Sequence, residues 1–212
     1  MILVTGGNGF LGKLLFERVK SENIEKNIFF TNKSKHFSIK NNIVNIDLSS
    51  KNHVKKLFLE KKFKKIIHLA VSRNPMSNPK IRSFDTLNLD ISILVNLLNC
   101  NDKLEKILFL SSAAVYKNVL NKTNREDTVK SNIIINKIIN FINDDYLMGK
   151  KLYKEFLFTK NKLVDRTIDP FFHKNDNLRL NGITKLISEK ILKEYCHENK
   201  IELQILRPYR II

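Results

Sequence analysis

A short stretch at the start of the chain decides the fold, and it reads Ile2-Leu3-Val4-Thr5-Gly6-Gly7-Asn8-Gly9-Phe10-Leu11-Gly12. Its three leading apolar residues predict a buried strand. From residue 10 to about residue 21 the apolar positions have the spacing of one helical face. Four of the chain's six glycines lie between these two segments and at the start of the second. The stretch therefore predicts a strand, a glycine-rich turn and a helix in immediate succession.

The glycine spacing predicts a phosphate-binding turn. Gly6 allows the tight turn, Gly9 allows close approach of the backbone to a ligand, and Gly12 lets the helix pack on the strand. The first turn of the helix then offers backbone amides and the positive end of its dipole to an anion. A dinucleotide pyrophosphate binds in such a place. The motif alone is weak evidence, but here it has the strand-turn-helix context that it needs.

The rest of the chain continues the alternation of strand and helix. Further strands are predicted at residues 28–30, 43–46, 66–70, 107–110 and 201–206, and further helices at 53–62, 84–99 and 184–199. The strands are almost continuously apolar, which is typical of a parallel sheet covered on both faces. We predict an α/β fold, a Rossmann-like doubly wound parallel sheet.

The pattern loosens between residues 117 and 178. Residues 131–141 carry five isoleucines, and residues 146–159 could form a helix, but no strand-helix unit of the preceding kind is visible. We interpret the chain as one dinucleotide-binding domain over residues 1–212 with an insertion at 117–178.

The charge balance points to anionic ligands without specifying one. The 212 residues include 38 Lys and Arg against 21 Asp and Glu, a net charge of +17. The lysines are scattered over the chain, and no aromatic residues are interleaved with them as stacking platforms for bases. We interpret the surplus as compositional drift and expect no nucleic-acid partner. Hydrophobic residues make up 42% of the chain, which excludes a mostly disordered protein.

Cysteine usage and the apolar pattern bear on location. Cys100 and Cys196 form no CxxC and no metal-ligand spacing, so we expect reduced thiols, a cytoplasmic protein and no metal site. The start MILVTGG has no basic region of a signal peptide. No segment approaches the ~20 apolar residues of a membrane span, so we expect no membrane partner.

Several motifs together resemble one family. Thr5-Gly6-Gly7-Asn8-Gly9-Phe10-Leu11-Gly12 resembles the TGGxGFLG signature of the extended short-chain dehydrogenases/reductases, the NAD(P)-dependent nucleotide-sugar epimerases and dehydratases. Other motifs of that family match in the same order: Asp47-Leu48, His68-Leu69-Ala70, Asn88, Ser111-Ser112-Ala113-Ala114-Val115-Tyr116 and Leu206-Arg207-Pro208. Lys117 stands where the family has a glycine after the tyrosine.

The resemblance implies a cofactor site and a reaction. Asp47 and Leu48 would contact the adenine ring, Leu69 and Ala70 would line the cofactor, and Ser112 would be the catalytic hydroxyl. The cofactor contacts that it implies are Gly6, Gly9, Phe10, Leu11, Gly12, Asn32, Lys33, Asp47, Leu48, Leu69, Ala70 and Lys185. The implied substrate is a nucleotide sugar. A homodimer is left open.

The end of the second strand bears on the choice between NADP and NAD. NAD-preferring members carry an acidic residue there, which bonds the ribose 2′-hydroxyl. Here the strand runs Phe29-Phe30-Thr31-Asn32-Lys33-Ser34-Lys35, with no carboxylate. A 2′-phosphate would meet Lys33 or Lys35 and the hydroxyl of Ser34, so we favour NADP over NAD.

The resemblance leaves two candidates for the family's Tyr-x-x-x-Lys pair. Asn181-Gly182-Ile183-Thr184-Lys185 followed by Glu189 matches YGxSKxxxE and lies at the right distance from Arg207-Pro208, but Asn181 replaces the tyrosine. An amide cannot serve as the proton-transferring acid/base. Tyr146 and Lys150 have the full spacing, but no suitable strand follows them. We favour the Asn181/Lys185 register.

These departures leave two functions open. The first is a nucleotide-sugar epimerase/dehydratase-type oxidoreductase that uses NAD(P). The alternative is a catalytically silent or truncated dinucleotide-binding module, which the aligned Asn181 favours. The chain ends just after Arg207-Pro208, so we expect the family's C-terminal substrate lobe to be largely missing.

Overall fold

The computed structural model describes residues 1–72, 83–112, 115, 131–143, 153–158 and 176–208. Its elements in chain order are β1 (Ile2–Thr5), α1 (Phe10–Ser21), a 3₁₀ turn (Glu25–Asn27), β2 (Ile28–Lys33), β3 (Ser38–Lys40), β4 (Ile43–Ile46), α2 (Lys51–Glu60), β5 (Lys65–His68), α3 (Ser83–Asn99), β6 (Lys106–Leu110), α4 (Ser131–Asn143), β7 (Tyr153–Phe158), α5 (Asp176–Glu198) and β8 (Glu202–Pro208).

The strands form one sheet in the order β3-β4-β2-β1-β5-β6-β8-β7. Seven of them are parallel, and only β3 runs antiparallel, against β4. The chain moves from β1 to β2 and β4 on one side, and then returns to β5 and β6 on the other. This is the doubly wound order that was predicted, and the carboxyl ends of β1 and β5 form its switch point, where such folds bind ligands.

The apolar strands separate two cores because alternate residues of a strand point to opposite faces of the sheet. Leu3 of β1 belongs to the core under α2, α3 and α5, while Ile2 and Val4 belong to the core under α1 and α4. Both faces are therefore covered, as the continuous apolar strands predicted. All the strands and helices that were predicted outside residues 117–178 are present, most with ends shifted by a few residues. Helix α5 begins at Asp176, eight residues before its predicted start and inside the segment that we interpret as an insertion.

Helix α4 lies inside the segment that we interpret as an insertion, yet it is part of the core. Its residues Ile134, Ile138 and Phe141 are buried against the same face of the sheet as α1. Lys65 Nζ donates to the carbonyl oxygens of Phe141 at 3.4 Å and Ile142 at 3.2 Å. The last turn of α4 is thereby tied to the start of β5, so α4 completes one layer of the fold.

The structure corrects the expectation of a helix over residues 146–159. Tyr153–Phe158 is a strand, β7, which pairs in parallel with β8 at the edge of the sheet. Half of its six residues are aromatic, a composition that favours strands. The short edge strand β3 was also missed, because three residues are too few to show an alternating pattern.

Candidate functional site

The glycine turn is held by hydrogen bonds to β2. The amide of Gly7 donates to the carbonyl oxygen of Thr31 at 2.9 Å, and that of Gly6 donates to Thr31 Oγ1 at 3.3 Å. Gly6 has a φ of +78°, in the region that L side chains rarely adopt. The amide of Gly9 then donates back to the Gly6 carbonyl at 2.9 Å. The turn is therefore a fixed backbone structure between β1 and α1.

A side chain would not fit at Gly12, whereas Gly9 is much less confined. A Cβ on Gly12 would lie 2.2 Å from the Gly6 carbonyl oxygen and 2.8 Å from the Gly7 Cα. Gly12 thus lets α1 pack on the turn itself, whereas we expected packing on the strand. A Cβ on Gly9 would meet one atom within 4 Å, the Gly6 oxygen at 3.1 Å. Gly9 therefore borders open space, which a ligand can enter.

The start of α1 faces that same space. Gly9 is the N-cap residue and offers no side chain to the first amides of the helix, and the first turn holds no acidic residue. Phe10 is 60% exposed, while Leu11 is buried. Helix amides without a side-chain cap, next to a glycine with space before it, fit a pyrophosphate.

The end of β5 forms the wall beside the turn. Ala70 donates its amide to Thr5 Oγ1 at 3.1 Å, and the same hydroxyl lies 2.8 Å from His68 Nδ1. A Cβ on Gly6 would come within 2.8 Å of the Ala70 nitrogen, and Leu69 is buried. The structure thus brings the predicted Leu69 and Ala70 against the glycine turn.

His68 is a neutral part of this wall. Burial lowers its pKa to about 3, and the charge of Lys185 acts in the same direction. Its ring stacks on that of Phe109, with the centroids 5.7 Å apart. The site therefore gains an uncharged aromatic layer between β5 and β6.

The ends of β2 and β4 bring together the residues expected at the adenosine half of the cofactor. Asn32 Oδ1 would be 3.2 Å from a Cβ on Gly7, so this side chain lies against the turn. Lys33 is the exposed last residue of β2, and Leu48 is buried after β4. These positions lie side by side because β2 and β4 are paired neighbours.

Asp47 is a well-held carboxylate at the same edge. Its Oδ1 accepts hydrogen bonds from the Ser49 amide at 3.0 Å and the Ser49 hydroxyl at 2.6 Å. Burial works against ionisation, but these hydrogen bonds and the charge of Lys33 lower the pKa of Asp47 below its ordinary value. Lys33 therefore has an anionic neighbour.

The second half of the site lies at the end of β6. Lys185 of α5 is 7% exposed, its Nζ donates to the Leu110 carbonyl at 2.8 Å, and it lies 4.7 Å above the Phe109 ring. Burial lowers the pKa of Lys185 to about 8, while Asp90 and Glu189 oppose that shift. Ser112 follows β6 two residues after Leu110.

The structure describes one of the two segments that compete for the family's Tyr-x-x-x-Lys positions. Asn181 and Lys185 both lie in α5, one helical turn apart. Tyr146 and Lys150 lie outside the described residues, as does Tyr116.

Sequence reasoning missed how three motif residues interact. Ser111, Glu189 and Arg207 are buried together: the Ser111 hydroxyl donates to Glu189 Oε1, and Arg207 Nε donates to the same oxygen at 2.9 Å. The Glu189 and Arg207 positions were noted only as parts of motifs. A charged residue at the end of the apolar run of β8 was the available signal, because a buried arginine needs an anionic partner.

Two kinds of feature are absent from the described part of the chain. Within it, no helix has the length and apolar character needed to cross a membrane. The same residues contain no group of three or more His, Cys, Asp or Glu side chains that could hold a metal ion.

Comparison with protein families identifies the chain. Residues 2–136 match the model of the NAD dependent epimerase/dehydratase family, and this is more than half of the chain. The chain belongs to this family, whose members use nicotinamide dinucleotides. No curated protein matches the sequence significantly.

Solved structures show the same fold. A GalE-like L-threonine dehydrogenase from Cupriavidus necator is 15% identical, with a TM-score of 0.60 over 97% of this chain and 53% of its own. A UDP-glucose 4-epimerase from Thermotoga maritima, solved with UDP-glucose, is 15% identical, with a TM-score of 0.59 over 97% and 54%. A Thermus thermophilus UDP-glucose 4-epimerase in complex with NAD is 16% identical, with a TM-score of 0.55 over 97% and 54%. The chain spans about half the length of these proteins.

Proposed function

We propose that this chain binds a nicotinamide dinucleotide across the carboxyl ends of β2, β1, β5 and β6. The observation that carries the proposal is the cradle at Gly9 and Gly12. The helix start there faces open space, and a side chain at Gly12 would collide with the turn. The pyrophosphate would lie on the amides of Phe10 and Leu11, where the dipole of α1 favours an anion.

Other residues would hold the two ends of the cofactor. The adenosine end would lie near Asn32, Lys33, Asp47 and Leu48. The nicotinamide end would lie past Leu69 and Ala70 toward the end of β6, where Lys185 would anchor the ribose. When bound, the nicotinamide supplies hydride transfer. Ser112 would hold the reacting oxygen of a substrate by a hydrogen bond.

We propose a preference for NADP over NAD. Lys33 ends β2 with an exposed ammonium, and the hydroxyl of Ser34 accepts from the amide of His36 at 3.1 Å, which orders the following turn. Asp47 is an electrostatic neighbour of Lys33 and reduces the net positive charge there. The preference should therefore be modest, and Lys35 should contribute to it.

The reaction is proposed to be of the epimerase/dehydratase type on a nucleotide sugar. Family membership supports the reaction class, and one structural neighbour was solved with UDP-glucose. We propose one domain, in which the segment that we interpret as an insertion, 117–178, contributes α4, β7 and the first residues of α5. The second candidate is a silent dinucleotide-binding module, which Asn181 favours because an amide cannot exchange the proton that a tyrosine would.

Cofactor binding can be tested by titrating NADH and NADPH and following nicotinamide fluorescence. The chain has no tryptophan, so its own emission interferes little. Gly9→Val should weaken binding by at least about tenfold, because the side chain enters the space before α1. Ser21→Val, at the exposed end of the same helix, is the matched control and should leave affinity unchanged. Equal affinity of the wild type and Gly9→Val would refute the site.

A further inference from the structure

The end of β6, helix α5 and the end of β8 meet in a buried polar cluster of Ser111, Glu189 and Arg207. Their exposed fractions are 4%, 1% and 7%. Ser111 Oγ donates to Glu189 Oε1, Arg207 Nε donates to the same oxygen at 2.9 Å, and Arg207 Nη2 donates to Oε2. Desolvating two charges is costly, and such a pair is weak evidence for added stability. A role in positioning accounts better for its place in the fold.

The cluster of Ser111, Glu189 and Arg207 adjoins the second half of the candidate site, at the end of β6. Lys185 lies one helical turn before Glu189 on α5, and its Nζ donates to the Leu110 carbonyl at 2.8 Å. Glu189 contacts the next residue, Ser111, whose amide donates to the Leu206 carbonyl of β8 at 2.8 Å. Helix α5 is thus tied to Leu110, the last residue of β6, and to Ser111, which follows it immediately before Ser112.

We propose that Glu189 is a positioning residue of this site: clamped by Arg207, its carboxylate sets the register of α5 against β6 and so holds Lys185 beside Ser112. The inference rests on the proposed function, because that function makes Lys185 and Ser112 contacts of the cofactor and the substrate. Glu189 itself would touch neither.

The same carboxylate helps to keep Lys185 protonated. Asp90 of α3 and Glu189 of α5 act on Lys185 as anions, Lys185 in turn acts on the neutral His68 of β5, and Arg207 of β8 adjoins Glu189. Burial lowers the pKa of Lys185 to about 8, and the two carboxylates limit that fall. Neutralising Glu189 should therefore lower the pKa of Lys185 further, toward neutral pH.

The test measures Lys185 directly in the cofactor-free protein. Trace acetic anhydride labels amines in their uncharged form, and mass spectrometry follows the rate at Lys185 from about pH 6 to 11. The midpoint of the profile reports the pKa of Lys185. The plateau rate at high pH reports how accessible the uncharged amine is to the reagent, and it is low when the amine is held in its buried position. The variants are Glu189→Gln and Ser111→Ala. Glu194→Gln, an exposed carboxylate on the same helix, is the matched control.

Glu189→Gln should lower the midpoint by roughly one pH unit, because it removes a nearby opposite charge. Ser111→Ala keeps the charge but unties α5 from β6, so it should raise the plateau rate about threefold through local opening. Glu194→Gln should change neither. NADPH affinity, measured separately, should fall about tenfold in Glu189→Gln. The hydrogen bonds of Ser111 and Arg207 to the charged carboxylate, which hold Lys185 in place, are then weakened.

Three results would overturn the proposal. The first is a folded Glu189→Gln protein whose Lys185 profile is that of the wild type. The second is a Glu194→Gln protein whose midpoint shifts as much as that of Glu189→Gln. The third is a Glu189→Gln protein whose midpoint shifts while its NADPH affinity is unchanged. If Glu189→Gln does not fold, an unchanged plateau rate in Ser111→Ala overturns it. Failure of the wild type to bind either cofactor would instead refute the proposed function, and the Lys185 profiles would still decide the positioning role.

Discussion

The glycine turn after β1 and the junction of β6, α5 and β8 both lie at the carboxyl ends of the strands. They differ in the groups that hold them together. The turn is held mainly by hydrogen bonds between backbone groups, from the Gly7 amide to the Thr31 carbonyl and from the Gly9 amide to the Gly6 carbonyl. The junction is held by buried side chains: Lys185 donates to the Leu110 carbonyl, and Glu189 pairs with Arg207. The turn should therefore be sensitive to added volume, and the junction to charge and pH.

The largest effect is expected at Asn181, the residue that the favoured register aligns with the family's tyrosine. If Asn181 occupies the acid/base position, Asn181→Tyr should raise turnover of nucleotide sugars by about 10²-fold or more, since general acid–base catalysis contributes roughly 10²–10⁴. A panel of UDP-, GDP- and dTDP-sugars would be assayed with bound cofactor. Tyr146→Phe is the companion variant and should be silent. Loss of turnover in Tyr146→Phe at unchanged cofactor affinity would show that Tyr146 is the acid/base.

The next effect concerns the free energy of unfolding, and it tests whether the charges or the volumes of the junction side chains contribute more. Arg207→Met leaves Glu189 buried without its partner, so it should lower the free energy of unfolding by about 4 kcal/mol. Glu189→Leu combined with Arg207→Met removes both charges and should recover a large part of that loss. Urea unfolding of the three proteins measures the difference. If the double variant is no more stable than Arg207→Met, volume rather than charge dominates at this junction.

The turn should show the opposite sensitivity. Gly12→Ala adds a Cβ that would lie 2.2 Å from the Gly6 oxygen, so it should lower the free energy of unfolding by about 2–3 kcal/mol. Gly9→Ala, whose Cβ meets that oxygen at 3.1 Å, should cost about 1 kcal/mol or less. Thermal or urea unfolding measures both. Similar losses at the two positions would mean that the turn adapts by moving.

The free energy of unfolding should depend on pH through His68, which lies at the end of β5 between the turn and the junction. The folded-state pKa of His68 is lowered from 6.5 to about 3. The unfolded chain therefore binds the extra proton between these values, so stability is present above pH 6.5 and is lost as the pH falls toward 3. From pH 7 to pH 5 this amounts to about 2 kcal/mol. Urea unfolding at both pH values should show a smaller loss for His68→Gln, and an unchanged loss would contradict the assignment.

The smallest effect is expected at the adenosine end. Lys33→Ala combined with Lys35→Ala should weaken NADPH binding several-fold, about 1 kcal/mol for exposed charges, and should leave NADH binding nearly unchanged. Fluorescence titrations in moderate salt compare the two cofactors. Lys20→Ala combined with Lys26→Ala removes the same charge elsewhere and serves as the control. Tighter binding of NADH than NADPH by the wild type would contradict the preference.

The fold was predictable because its signals are local. The apolar strands and the helix spacing of residues 10–21 and 84–99 indicated the sheet and its covering helices, and the structure confirms both. The helix expected over residues 146–159 was wrong, since β7 gains its partner from β8, about fifty residues later in the chain. The cofactor and catalytic assignments stay predictions.

The sequence by itself determined the glycine turn. The positive φ of Gly6 and the absence of space for a side chain at Gly12 are requirements of the backbone within seven residues, and only glycine meets them. Tertiary structure alone decided the junction. Ser111 and Glu189 are 78 residues apart, and Lys185 and Leu110 are 75 apart. No local spacing encodes such pairs, because a buried charge finds its partner only when the strands and α5 have packed.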